Sequence, residues 1–193
     1  MQRLRWWSGI LFVTVAGCAT TPSGPPEEVA PKIAAALDEG RTKDAQGLFE
    51  GSTSDSEQLY PLLYEEANTR YQKGESAHSA GVLGFMSKNY PKARAVREAR
   101  VYALFLERAH DDVPSPELVK DLDSAVAELR KAGGETPHWI GLVEAQLAID
   151  RGERPAAREA FAGFKKAWNG SPEELGIYVD DIDRYLNSQN SHP

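Results

Sequence analysis

Apolar positions recur with a helical period along the chain from Glu27 almost to its end. Short breaks, most of them at glycine or proline, divide the pattern, and no segment alternates with period two over a useful length. The pattern predicts an all-α domain over residues 27–187, followed by a flexible tail at 188–193. Nine helices are predicted, near residues 27–38, 42–50, 56–73, 76–89, 92–110, 116–132, 137–151, 154–168 and 172–187.

Signals for helix starts agree with these bounds. Residues 54–57 and 171–174 have the spacing of a capping box, in which a serine side chain and a glutamate three positions later satisfy exposed backbone groups. Ser115 and Thr136, each followed by proline, are weaker start signals. The last helix has an apolar face at i, i+3, i+4 and i+7 and an acidic opposite face, which is the pattern of a terminal helix that caps a helical array.

A short motif recurs along the predicted helices and indicates an internal repeat. Segments 66–75 and 144–153 both read Glu-Ala, then an apolar residue, then base-Gly-Glu. After each turn glycine, a small residue follows by five positions and a large apolar residue by nine, and the same spacing follows Gly40, which lies 34 residues before Gly74. The residues at these spacings are Ala45 with Phe49, Ser79 with Leu83, and Ala157 with Phe161. Because one helical hairpin is too thin to bury its own apolar face, successive hairpins are expected to stack.

This spacing resembles the tetratricopeptide repeat (TPR), in which two antiparallel helices of about 34 residues form one unit. In that family a small residue in the first helix lets the second pack closely, and Ala67 and Ala145 hold that position. The chain departs from the family at Glu66 and Glu144, where an apolar residue is preferred. It also departs at Arg70 and Ala148, which replace the usual tyrosine. The resemblance implies antiparallel helical hairpins stacked as a short TPR-like solenoid with a C-terminal capping helix.

The resemblance also implies a partner-binding surface. Members of that family bind peptides or proteins in a concave groove lined by the first helix of each hairpin. The residues that would face this groove are Tyr64, Asn68, Tyr71, Leu142 and Gln146. The alternative for Tyr71, and for the neighbouring Ile149, is a packing role between repeats. Trp139 is interpreted as a core or repeat-junction residue.

The N-terminus carries a sorting signal. Arg3 and Arg5 precede an apolar run at 10–15 and small residues at 16–17, as in a secretory signal peptide. Residues 15–18, Val-Ala-Gly-Cys, resemble the bacterial lipobox, which implies cleavage after Gly17 and acylation of the Cys18 thiol and amine. The alternative is an uncleaved membrane anchor, for which the apolar run is short against a span of about 20 residues.

The residues after the predicted cleavage site indicate a location in the cell envelope. By resemblance to Gram-negative sorting, Ala19 in place of aspartate implies delivery to the outer membrane with the body in the periplasm. Surface display and a Gram-positive source are alternatives. Residues 1–17 are then the signal peptide, and residues 18–26 are the lipidated cysteine and a proline-rich tether. An extended tether of this kind, at about 3 Å per residue, keeps the body close to the membrane.

Net charge and cysteine content limit which kinds of partner and metal the chain is expected to bind. Cleavage would leave 20 Lys and Arg against 29 Asp and Glu, a side-chain charge near −9. Such a chain lacks the basic footprint that nucleic acid requires. Cys18 is the only cysteine, so no disulfide forms within the chain and no cysteine metal site is expected.

No catalytic or metal-binding motif is found in the sequence. The histidines, at positions 78, 110, 138 and 192, do not have metal-ligand spacing, and nucleophile elbows and phosphate loops are absent. His110, near a predicted helix end, is interpreted as a capping and loop residue. The sequence therefore predicts a protein that is not an enzyme and that has no cofactor and no metal.

These observations favour a membrane-anchored protein-interaction scaffold or assembly factor. By analogy it would be a pilotin-like accessory lipoprotein that serves an envelope assembly or secretion complex. One alternative is a periplasmic cell-wall-turnover enzyme or an accessory domain of one. A second is a small-ligand binder that delivers to a transporter, although such binders usually close two lobes around the ligand.

Overall fold

The computed structural model describes residues 24–111, 113–170 and 173–188, and this part of the chain is all-helical. Its α-helices are α1 (Pro26–Asp38), α2 (Thr42–Glu50), α3 (Ser56–Gln72), α4 (Ser76–Asn89), α5 (Arg94–His110), α6 (Pro116–Lys131), α7 (Ile140–Asp150), α8 (Arg154–Ala167) and α9 (Gly176–Ser188). Short 3-10 helices, Thr53–Asp55 and Glu173–Leu175, precede α3 and α9. The all-α prediction is confirmed. Gly17, Cys18, most of the tether and residues 189–193 lie outside the described residues.

The helices pack as four consecutive hairpins, α1–α2, α3–α4, α5–α6 and α7–α8. The first and second hairpins meet through α1 and α3, and the second and third meet through α4 and α5. Helix α9 packs against α7, where Val179, Ile182 and Leu186 are buried. The predicted stack of helical hairpins with a terminal helix is therefore present.

Three hairpin turns use the repeated glycine in the same way. Gly40, Gly74 and Gly152 have φ angles of +72°, +78° and +73°, a left-handed conformation that residues with a Cβ adopt at a cost. In each turn the next residue donates its backbone N–H to a carbonyl five positions earlier, as in Glu153 to Ala148 at 2.8 Å. This pattern is the Schellman motif, which satisfies the exposed carbonyls at a helix end. The glycines found by sequence periodicity thus end α1, α3 and α7.

The small residues of the motif lie where helices of a hairpin meet. Ala67 in α3 and Ala145 in α7 are 2% and 0% exposed. The partner positions in the second helices are also buried; they are Ala45, Phe49, Ser79, Leu83, Ala157 and Phe161. Small side chains at these positions let the two helices of a hairpin approach closely, so that the large neighbours fill the core.

Two ion pairs join the C-terminal ends of neighbouring first helices. Arg70 of α3 donates from Nε and Nη2 to Asp38 Oδ2 of α1, at 3.0 and 2.6 Å. Arg108 of α5 donates from Nε and Nη2 to the two oxygens of Asp150 of α7, at 2.8 and 2.5 Å. Hydrogen bonds, chiefly to Asp38, raise the pKa of the Arg70 guanidinium. The Arg70–Asp38 pair therefore links the C-terminal ends of α3 and α1.

The helix starts confirm some signals and correct others. The Ser115 Oγ accepts from Leu118 N at 3.1 Å, so this predicted cap is present. The predicted capping box at 54–57 is wrong, because Thr53–Asp55 forms a 3-10 turn and the Ser54 hydroxyl donates to Asp55 instead. Helix α7 begins at Ile140 with no side-chain cap, after a turn that starts at Pro137. Part of the box at 171–174 lies outside the described residues.

The described helices also bear on membrane insertion. None of them is both long enough and apolar enough to cross a bilayer.

We expect Asp150→Ala to lower the free energy of unfolding by about 3–5 kcal/mol, because it leaves the Arg108 guanidinium unpaired. The side chains of Asp150 and Arg108 are only 3% and 11% exposed. Urea denaturation followed by circular dichroism measures the change. The matched control is Asp181→Ala, whose pair with Arg184 is 57% and 75% exposed and should contribute less than about 1 kcal/mol. Equal losses for the two variants would contradict the structural role of Asp150.

Candidate functional site

A groove of about 420 Å³ lies between α3 and α5. Helix α5 packs closely against α4 and only loosely against α3. A space therefore remains between α3 and α5, on the side of α4 that both helices border. Ser79 and Leu83 of α4 form the floor of the groove. The groove therefore arises from the way the second and third hairpins meet.

One wall of the groove consists of residues that the sequence predicts. Tyr64, Asn68 and Tyr71 are spaced i, i+4, i+7 along α3, which places them on one face of the helix. Tyr64 is 38% exposed, Asn68 is exposed and Tyr71 is half-buried. The Tyr71 ring centroid lies 6.2 Å from that of Tyr102 on the opposite wall. Tyr71 thus lines the groove and also packs between hairpins, and it fits both interpretations made from the sequence.

The opposite wall was missed by the sequence analysis. Helix α5 contributes Glu98 and Tyr102, and the end of the groove is formed by Trp139 and Glu174. The rings of Tyr102 and Trp139 are in edge-to-face contact at 5.4 Å. Tyr102 Oη donates to Glu174 Oε1 at 2.8 Å.

A weak signal for this wall exists in the sequence. Ala95, Ala99 and Tyr102 follow one another at i, i+4, i+7, and all three line the groove. The hairpin to which they belong has no signature glycine, so the repeat motif does not identify it. The contact with Glu174 spans 72 positions, and no local pattern indicates it.

The second predicted set of groove residues lies elsewhere. Leu142 is fully buried in the core, so its predicted position on a partner-binding surface is wrong. The reason is that α7 is apolar around most of its circumference and is covered by α8, α6 and α9. Gln146 donates to Asp150 at 2.9 Å and lines a separate cavity of about 770 Å³ between α5, α7 and α9. The two sets of residues therefore do not form one continuous groove.

The groove combines aromatic rings with carboxylates. Among the described residues that line it, Glu98 and Glu174 are the charged ones, and Glu98 pairs with Arg94 at 2.8 Å. Burial, with the hydrogen bond to Glu174 next, raises the pKa of the Tyr102 hydroxyl, so Tyr102 stays a neutral donor. The Asn68 amide adds both a donor and an acceptor. These groups can bind apolar side chains and peptide hydrogen-bonding groups.

The histidines do not converge on the groove. His110 Nδ1 lies 2.6 Å from the Leu106 carbonyl at the end of α5, in line with the predicted capping role. His78 and His138 are exposed, and His192 lies outside the described residues. Across the described ranges, no three His, Cys, Asp or Glu side chains come together in a way that could hold a metal ion.

Comparison of the chain with protein-family models, with curated proteins and with solved structures gives no match in any of the three. The resemblance to the tetratricopeptide repeat, like that to the lipobox, therefore stays a prediction from the residues.

We expect Tyr102→Phe to weaken the pH dependence of stability in alkali. The pKa of Tyr102 in the fold lies above the ordinary value of 10.0. Well below pH 10 the folded and unfolded chains both keep the hydroxyl proton, so the free energy of unfolding does not change with pH through this group. Above that pH the unfolded chain releases the proton while the fold retains it, so the free energy of unfolding falls. Urea titrations at several values between about pH 9 and 11 measure the slope. Equal slopes for the variant and the native chain would contradict the burial of this hydroxyl.

Proposed function

We propose that the chain is a membrane-anchored protein-interaction scaffold or assembly factor for a bacterial cell-envelope complex. The observation that carries the proposal is the aromatic groove between α3 and α5, defined by Tyr64, Tyr71, Tyr102 and Trp139. Tyrosine and tryptophan provide large apolar area with a polar group at one end, which is why they dominate the energetics of protein interfaces. A protein partner is thus recognised by insertion of side chains between these rings.

The walls of the groove are held in place before a partner arrives. The rings of Tyr71, Tyr102 and Trp139 contact one another in series. The Tyr102 hydroxyl is fixed by Glu174 on a separate segment of the chain. A preorganised surface loses little side-chain freedom on binding, so more of the contact energy contributes to affinity.

The size of the groove fits part of a protein. A volume of about 420 Å³ accommodates a few side chains of an extended segment or one face of a helix. Tyr64 and Asn68 line it and are exposed, so a partner can contact them directly. The body then acts by holding a segment of another protein.

The anchor is the second half of the proposal. Acylation of the Cys18 thiol, cleavage after Gly17 and acylation of the freed amine attach the body to the membrane. Ala19 then directs it to the outer membrane facing the periplasm. One acyl chain binds marginally and two or more bind stably. A side-chain charge near −9 after cleavage favours proteins of an envelope assembly or secretion complex over nucleic acid as partners.

We expect Cys18→Ala to abolish cleavage and lipid attachment at this site. Intact-mass spectrometry of the full chain, expressed in a Gram-negative host, measures both. The native chain should carry the mass of residues 18–193 plus acyl groups, and the variant should not. Thr20→Ala, which leaves the lipobox intact, is the control and should be processed like the native chain. An identical processed mass for Cys18→Ala would contradict the lipidation proposal.

We expect Tyr64→Ala to weaken partner capture from detergent-solubilised envelopes by about tenfold or more, a loss typical of a central interface tyrosine. Quantitative mass spectrometry of proteins recovered with the tagged full chain provides the measurement. Tyr185→Ala is the matched control, because Tyr185 is 45% exposed but lies on α9 outside the groove, and recovery should stay within about twofold. Equal recovery with both variants would contradict the groove as the binding surface.

A further inference from the structure

Another cavity, of about 650 Å³, lies at one end of the stack and is strongly basic. It is bounded by the C-terminal ends of α4 and α6, the N-terminal end of α5 and the α4–α5 loop. Its cationic side chains are Lys88, Lys92, Arg94, Arg97 and Lys131. Glu128, the carboxylate among its described lining residues, is bound by Arg100 at 2.9 Å. A chain with a net charge of −7 therefore concentrates positive charge at this point.

Only part of this charge is used within the fold. Arg94 pairs with Glu98 and donates to the carbonyls of Gly133 and Glu135, which ties α5 to the end of α6. Arg97 Nη1 is buried and has no hydrogen-bond partner among the described residues. A buried donor without an acceptor is unfavourable, and an oxygen-bearing ligand relieves it.

The lysines are also unpaired. Lys88, Lys92 and Lys131 form no ion pair within the described part of the chain. Lys88 and Lys131 lie in the last turns of α4 and α6, where a helix dipole favours cations. The dipole does not explain Arg97, which lies in the first turn of α5, where a cation is disfavoured. The basic residues thus accumulate even where the backbone opposes them.

We propose that this basic cavity binds a phosphate group. Guanidinium and ammonium groups around a helix N-terminus are the combination that recognises phosphate oxygens. Arg97 donates from its buried Nη1, and Lys88, Lys92 and Lys131 line the same cavity. The phosphate comes either from a free anion or from a phospholipid headgroup.

The position of the cavity favours a headgroup, and this preference rests on the proposed function. Tyr90 Oη, just after α4, donates to the Ser56 carbonyl at the start of α3, at 2.7 Å. The side chains of Gln46 and Asn89 meet at 3.4 Å, which brings the C-terminal ends of α2 and α4 together. Since α1 and α2 form a hairpin, the start of α1 lies at this same end of the stack. A lipidated Cys18, eight residues before Pro26, would then place the basic cavity next to the bilayer.

Lysine labelling of the full chain, read by mass spectrometry, tests the proposal with an internal control. In neutral detergent micelles, inorganic phosphate should reduce the labelling of Lys92 and Lys131 severalfold and leave Lys120 unchanged. Lys120 is exposed on α6 and lies outside the cavity lining. The same protection should follow when the chain is reconstituted in phosphatidylcholine vesicles that contain phosphatidylglycerol, compared with phosphatidylcholine alone.

Variants show whether the cavity itself is responsible. Lys88→Gln removes an exposed cation from the lining and should abolish most of the protection at Lys92, whereas Lys120→Gln should not. Arg97→Gln should do the same if it folds, and Lys88→Gln decides the matter if it does not.

The inorganic phosphate arm and the phosphatidylglycerol arm distinguish a free anion from a lipid headgroup. They also test the phosphate site separately from the protein-binding groove. Protection by inorganic phosphate without an effect of phosphatidylglycerol supports a free anion as the ligand, whether or not Cys18 is acylated. Protection in both arms supports a headgroup. Absence of protection in both arms, or equal protection of Lys120, would overturn the phosphate site and would leave the protein-binding groove untouched.

Discussion

The close packing of α5 against α4 determines where the aromatic groove lies. Small residues of α4, among them Ala80 and Gly84, line one cavity with Arg100 and Leu104 of α5, and α5 packs closely against α4. At Gly84 a Cβ would lie 3.3 Å from Arg100 Nε, a tight contact that glycine avoids. Since α5 is held by α4, it does not close onto α3, and the aromatic groove is the space that remains. The packing of α4 against α5 in the core thereby sets the position of the groove on the surface.

The ion pairs between first helices explain why the groove lies at this junction. Arg70 joins α3 to Asp38 of α1, and Arg108 joins α5 to Asp150 of α7. No comparable ion pair links α3 to α5 in the described part of the chain, and aromatic contact between Tyr71 and Tyr102 takes its place. Ion pairs thus join the first hairpin to the second and the third hairpin to the fourth. The junction between the second and third hairpins is held instead by the packing of α5 on α4 and by the contact of Tyr71 with Tyr102. Rings that support a junction are also available to a ligand at its surface.

Local signals predicted the fold well and the site only in part. Helical periodicity and the glycine spacing depend on neighbours within one turn or one hairpin, so α1 to α9 and the turns at Gly40, Gly74 and Gly152 follow from sequence. The face formed by Tyr64, Asn68 and Tyr71 follows for the same reason. Tyr102, Trp139 and Glu174 do not, because their contacts join distant parts of the chain. The error at Leu142 came from assuming that equivalent repeat positions have equivalent surroundings, whereas α9 and α8 cover α7.

Basic side chains gather at the end of the stack where the proposed anchor would attach. The basic cavity gathers its lysines and arginines where α5 begins and α4 and α6 end, the end at which the chain enters α1. The groove reaches this same end, because Glu98, which lines it, pairs with Arg94 of the basic cavity at 2.8 Å. An anionic bilayer would attract the basic cavity over about one Debye length. An anchored body oriented by this attraction would hold the Glu98 side of the aromatic groove close to the membrane surface.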